Sequence, residues 1–237
     1  MELKNKTVLI IGGSSGIGLA AATLAHKHGA SVTLTGTTEQ KSKHAAASAG
    51  NTGYAVLDVN REEEVNRFIS RFESIDHIFN AAGSTQFGSV LEGNMSDHFA
   101  PINTRLAGSV HLVRAAAKKI NQGGSFVFTG AVSTDRPVQG AWTSGVATAA
   151  AEQLARVMAL ELAPIRFNAV SPGFTDTPMW DKVLGENKTA VIASVAEKSL
   201  VKRIATADEV AEAVIFLMKN ESITGEIIHI DGGARLV

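Results

Sequence analysis

Four glycines fall within seven residues at Gly12-Gly13-Ser14-Ser15-Gly16-Ile17-Gly18, directly after the apolar run 7–11 and directly before Leu19-Ala20-Ala21-Ala22. Glycine is needed where the backbone takes a positive φ or must approach another group closely. The change from a short β-branched run to an alanine-rich stretch marks a strand that turns into a helix. The first turn of such a helix presents unpaired N–H groups, and glycine lets them come close to a pyrophosphate. A tight strand–helix turn without a ligand would not call for glycine at 12, 13, 16 and 18 together. Gly12, Ser14, Ser15, Gly16, Ile17 and Gly18 are therefore expected to cradle a dinucleotide.

The rest of the chain repeats this strand–helix rhythm. Short apolar runs at 7–11, 31–35, 53–57, 77–80, 124–129, 165–170 and 226–230 alternate with helical segments at 16–28, 38–48, 61–72, 96–119, 144–162 and 207–219. Near-continuous apolar strands separated by helices indicate a parallel sheet covered on both faces. The expectation is an α/β, Rossmann-type doubly wound sheet of about seven strands in one domain spanning 1–237. Residues 174–204 interrupt the rhythm with a Pro-Met-Trp patch and a polar stretch, and are read as a lid over a site.

Composition excludes several classes. Lys and Arg total 22 against 23 acids, so no field of one sign recommends nucleic acid or an acidic membrane. A small-molecule substrate is the expected partner. There is no cysteine, which removes disulfides, thiolate catalysis and the usual zinc sets, and no metal site is expected. The charged opening Met1-Glu2-Leu3-Lys4 and the lack of a stretch of ~18 apolar residues lead to the expectation of a cytoplasmic chain.

At the end of the second strand, an NAD site places an acid on the ribose 2′-hydroxyl, whereas Leu34-Thr35-Gly36-Thr37-Thr38 has none. Hydroxyls at Ser14, Ser15, Thr37 and Thr38 suit a 2′-phosphate, and the nearby Lys41 and Lys43 either add positive charge there or simply solvate a helix face. NADP(H) is expected over NAD(H).

Several motifs together resemble the classical short-chain dehydrogenase/reductase family across the whole chain. The glycine turn is similar to the family's TGxxxGxG, Asp58-Val59 to its adenine-side pair, and Asn80-Ala81-Ala82-Gly83 to its NNAG segment. Asn103 in Ile102-Asn103-Thr104 resembles the catalytic Asn of the central helix. Pro172-Gly173-Phe174-Thr175 resembles the segment that contacts the nicotinamide, and Asp231-Gly232-Gly233 the C-terminal turn. The resemblance implies a nicotinamide dinucleotide, but the catalytic set departs from the family. YxxxK falls on Ser144-Gly145-Val146-Ala147-Thr148, and the catalytic Ser falls on Ala131. Arg136-Pro137-Val138-Gln139-Gly140 and Glu161-Leu162-Ala163-Pro164-Ile165-Arg166 resemble a subgroup with such a degenerate catalytic helix.

Hydride transfer to a carbonyl creates an alkoxide that must meet a proton donor. In the family, Tyr donates, with its pKa lowered by a Lys one turn away. Ser144 and Thr148 keep the spacing but neither ionises usefully. The one tyrosine, Tyr54, lies at the adenine-side strand. Candidate stand-ins are Asn103, Ser144, Ser133 two residues past the lost Ser, and Arg136, which with Asp135 forms either a substrate contact or an exposed ion-paired turn. Trp142 either walls the pocket or packs its loop, His111 is core or interface rather than catalyst, and Met179 and Trp180 cover substrate or pack the lid.

Three functions remain open at this level: an NADP(H)-dependent reductase with a non-standard proton donor, a cofactor-binding regulator or non-catalytic subunit, and a non-redox enzyme reusing the pocket. A homodimer or homotetramer is expected, because the family pairs its central helices and Ala147, Ala149, Ala150 and Ala151 permit close helix contact, unless they only pack on the sheet.

Overall fold

The computed structural model describes residues 3–237, so the first two residues of the expected domain lie outside the described residues. β1 (Thr7–Ile11) forms because its residues are apolar on both sides of the pleat. Val8 and Ile10 enter one core cluster while Leu9 and Ile11 enter the other, all at 1% exposure or less. β1 is the fulcrum of a seven-stranded parallel sheet. On one side lie β2 (Ser31–Gly36) and β3 (Gly53–Val56). On the other lie β4 (Ile75–Asn80), β5 (Ile120–Thr129), β6 (Arg166–Pro172) and, at the far edge, β9 (Ile227–Ile230). The order is β3-β2-β1-β4-β5-β6-β9, so the direction of winding reverses between β1 and β4. In open sheets of this kind, ligands bind beyond the C-terminal strand ends at that reversal.

α1 (Gly16–Lys27), α2 (Glu39–Ser48) and α9 (Ala207–Lys219) cover one face with Ala21, Ala25, Ala45, Val210 and Val214. α3 (Glu62–Ser70), α5 (Ala107–Ala116) and α6 (Trp142–Glu161) cover the other with Phe68, Leu112 and Ala155. Phe126, Phe128 and Phe167 stack in the middle of this layer, the first and last 4.9 Å apart. The expected doubly wound α/β fold is therefore present, and no helix among the described residues is long and apolar enough to cross a membrane.

The expected helix 96–119 is broken. α4 (Met95–Arg105) ends at Leu106, α5 restarts at Ala107, and a 3₁₀ turn closes at Lys119. The Ser109 hydroxyl, gripped by the Asn80 amide at 2.9 Å, donates to the Arg105 carbonyl at this joint. Such side-chain donation to a helix carbonyl competes with the backbone ladder. Gly108 also brings α5 so near Val59 that a Cβ would lie 2.6 Å from its Cγ2.

The segment 174–204 holds α7 (Met179–Leu184), a 3₁₀ turn and α8 (Lys188–Lys198), the last with no buried residue. Its two ends are joined, since β7 (Thr175–Asp176) pairs in parallel with β8 (Ala205–Thr206). α9 follows at once, fixed by a capping box between Thr206 and Glu209.

Candidate functional site

A cavity of about 370 Å³ runs along the C-terminal strand ends, across the reversal between β1 and β4. Its middle is the glycine turn. Gly12 has φ +77°, and a Cβ there would stand 2.7 Å from the Ala82 amide nitrogen. One on Gly18 would stand 2.3 Å from the Gly12 carbonyl oxygen. Side chains are thus excluded on both counts. The N-terminus of α1 has no acid in its first turn and no side-chain cap from Ser15, which leaves its N–H groups to a ligand. This cradle fits a pyrophosphate.

From the turn the cavity extends both ways. Toward β2 and β3 it is bordered by Ser14, Ser15, Thr37, Asp58 and Val59; toward β4, β5 and β6 it is bordered by Ala81, Ala82, Gly83, Pro172, Gly173, Phe174 and Thr175. Gly16 and Ile17 line it as well. Of the residues expected to hold a dinucleotide, two stand apart. Asn80 is buried, its amide bonded to Ser109 and its carbonyl oxygen to the Ala82 N–H, so it shapes the turn from beneath. Thr38 is exposed at the start of α2, where its carbonyl accepts from Ser42, and it does not border the cavity; nor do Lys41 and Lys43.

At the β5 end, Ala131, Ser133, Ser144 and Thr148 all line the cavity. The Ser144 hydroxyl is enclosed without a partner. Thr148 is committed to its own helix, donating to the Ser144 carbonyl at 2.8 Å while accepting from the Thr134 hydroxyl at 3.1 Å, with the Ser133 hydroxyl 3.2 Å away. Phe174 and Trp180 stack at 4.4 Å over this end, and the Trp180 indole donates to the Thr175 carbonyl.

Other expected site residues lie elsewhere. Asn103 is exposed on α4 and does not line the cavity. Residues two apart on a helix point about 200° from each other, and Arg105 takes the inward direction. Arg136 is exposed and donates to the Ala234 carbonyl at 2.7 Å, fastening the C-terminal turn, while Asp135 pairs with His229 at 2.8 Å. Trp142 packs against His98, with ring centroids 5.4 Å apart, and does not border the cavity. His111 binds the Val59 carbonyl at 2.9 Å, a structural bond, and Tyr54 is exposed with its hydroxyl on Glu39.

Two residues escaped the sequence reading. Arg105 lines the cavity; burial away from any carboxylate pushes its pKa down to about 10. Glu152 is 3% exposed, and its carboxylate accepts the Ala131 N–H at 3.2 Å. Burial raises its pKa, against the opposing pull of its hydrogen bonds. Glu152 was within reach of helical spacing, because it follows Ser144 and Thr148 at steps of four on α6. Arg105 was not, since its inward direction depends on where α4 breaks.

A family model described as enoyl-(acyl carrier protein) reductase matches residues 12–235. The short-chain dehydrogenase/reductase ucsE of an Acremonium species is 31% identical over 257 residues, with 99% of this chain and 97% of its own length covered. A solved short chain dehydrogenase/reductase family protein superposes with a TM-score of 0.91 at 32% identity over 100% of both chains. A small-chain dehydrogenase in complex with NADPH superposes with a TM-score of 0.86 at 26% identity, over 99% of this chain and 100% of its own. Matched from the glycine cradle to the C-terminal turn, and sharing its full length with named members, the chain belongs to the short-chain dehydrogenase/reductase family of oxidoreductases.

Proposed function

We propose that this protein is an NADP(H)-dependent reductase of a small carbonyl or related substrate, working with a proton donor other than tyrosine. The reading is carried by one observation: the cavity is continuous from Thr37 and Asp58, past the glycine cradle, to Ser144 under the Phe174–Trp180 pair. A chain using only the adenine half would have no need of the second half. Preference for the 2′-phosphate is supported by the hydroxyls of Ser14, Ser15 and Thr37 at that end and by the absence of an acid at the end of β2. The nearest carboxylate on α2, Glu39, is engaged by Tyr54 at 2.8 Å.

A bound nicotinamide supplies the hydride. The chain's own groups do the rest. The free N–H groups of α1 would hold the pyrophosphate, and Phe87, Val138, Met179 and Trp180 line the far end of the cavity with apolar surface. Ser144 lines the cavity, and its hydroxyl, which has no partner within the chain, is the group we assign to donate a hydrogen bond to a substrate oxygen. A serine hydroxyl orients and polarises but does not surrender its proton near neutral pH, so the alkoxide takes its proton directly from a water molecule, which leaves as hydroxide. Loss of a tuned general acid typically costs ~10²–10⁴-fold in rate.

The test is binding and turnover together. Titration is expected to show NADPH binding more tightly than NADH, and a panel of carbonyls, imines and activated alkenes to show slow NADPH oxidation. Tight NADPH binding without turnover on all three classes would favour the second reading, a cofactor-binding regulator, which the closure of Thr148 onto its own helix supports. Absence of binding to either nucleotide would sink both.

A further inference from the structure

Arg105 is the one cation among the described residues lining the cavity, and no carboxylate among them reaches it. Of its guanidinium nitrogens, Nη1 donates to the Thr129 carbonyl at 2.8 Å. Nε is enclosed and has no partner. A half-buried cation with no carboxylate beside it is costly unless something electron-rich meets it. The group it meets is indicated by its neighbours. The guanidinium lies flat on Gly83, where a Cβ would stand 2.6 Å from Cζ, so this residue must be glycine for Arg105 to lie there. Gly83 follows Ala82, whose amide nitrogen is the atom that a Cβ on Gly12 would strike. Arg105 is therefore one backbone step from the pyrophosphate cradle, on its β4–β5 side. Thr148, at the position where the family resemblance calls for lysine, offers no charge.

We propose that Arg105 binds the hydroxyl oxygens of the ribose on the nicotinamide side of the dinucleotide, supplying from α4 the positive charge that α6 lacks. This rests on the cofactor reading above. Nη2, which unlike Nε is not enclosed and has no hydrogen-bond partner among the described residues, and the uncharged wall around it are matched to vicinal hydroxyls, which accept from a guanidinium without adding a charge of their own. The same placement sets a cation beside the reacting end, where it favours the build-up of negative charge on a substrate oxygen held by Ser144.

The experiment is calorimetric titration of the native chain, Arg105→Met and Arg105→Lys with NADP+ and with 2′,5′-ADP, which carries the adenine-side phosphates and no nicotinamide ribose. Arg105→Met is expected to weaken NADP+ about 10- to 100-fold and to leave 2′,5′-ADP unchanged, which also shows that the variant folds. Arg105→Lys is expected to recover part of the NADP+ affinity. Unchanged NADP+ binding in Arg105→Met, or an equal loss for both ligands, overturns the assignment. If the native chain binds 2′,5′-ADP as tightly as NADP+, the assignment fails while the cradle reading stands. If it binds neither, the proposed function itself is wrong.

Discussion

Along α6, residues 144, 148 and 152 are one turn apart on one face, and the most consequential of the three for stability is the acid. Glu152 holds the Ala131 amide and stands where a Cβ on Gly130 would be only 2.1 Å from its Oε1, so the loop after β5 is moulded around this carboxylate. Burial raises its folded pKa above that of the unfolded chain. Between those two values the folded state holds more protons than the unfolded, so stability falls as pH rises through this window. Glu152→Gln keeps an acceptor for Ala131 and removes the charge. The gap in melting temperature between variant and native chain is expected to widen in the variant's favour from pH 4 to pH 7, by about 2–4 °C for each kcal/mol relieved. A constant gap across that range would show that the carboxylate is not paying for its burial. At this scale the sequence was legible where a residue's role is local. The glycines at 12, 16 and 18 are dictated by their own backbone and the next turn. Arg105 is not legible because its place depends on Gly83 from another element, and which of Asn103 and Arg105 faces the cavity cannot be counted from either end of a helix near a break.

At the scale of elements, the strands were readable from their apolar runs and the helix-to-strand alternation. The misses lie where a side chain competes with the backbone. One helix was expected at 96–119, and the Asn80–Ser109–Arg105 chain of bonds divides it. The lid was legible as an interruption but not as structure, because β7 and β8 are two residues each and are stabilised only by pairing across the whole segment. Its far end is well anchored: Arg203 forks onto Glu209, whose pKa falls to about 2, and Glu209 also accepts the Thr206 N–H at 2.9 Å. α8 between these anchors buries nothing. Elements with few buried contacts open first, so limited proteolysis is expected to cut first within 185–198. Saturating NADPH is expected to slow that cut if Phe174 and Thr175, at the root of the lid, touch the cofactor. Thr206→Ala, which removes the cap of α9 at a cost of about 1 kcal/mol, is expected to speed cleavage in the lid. First cuts elsewhere, or rates indifferent to nucleotide, would remove the lid reading.

For the whole molecule, the expected assembly turns on which face of the central helices is free. The alanine stripe on α6 does not decide it, since Ala147 and Ala151 are 0% and 2% exposed, Ala151 within the core cluster, while Ala149 and Ala150 are half-buried. What α4, α5 and α6 leave uncovered is larger: Phe99, Leu106, Val110 and Val146 are each more than a third exposed. Neighbouring apolar side chains on packed helices form the kind of patch that a monomer seldom keeps in water, and a two-fold axis lets one such patch cover itself. Light scattering is expected to give the mass of a dimer or tetramer. Val110→Asp with Val146→Asp places two charges in that patch without touching either core cluster, because both side chains point outward. The double variant is expected to fall to the mass of one chain while keeping its circular dichroism and its affinity for 2′,5′-ADP, as the cradle is built wholly within one chain. A native chain that is monomeric at micromolar concentration, or a double variant that stays assembled, would place the interface elsewhere or nowhere. If nucleotide affinity is lost along with assembly, the C-terminal strand ends of one chain are not sufficient, and the site needs its neighbour to hold it.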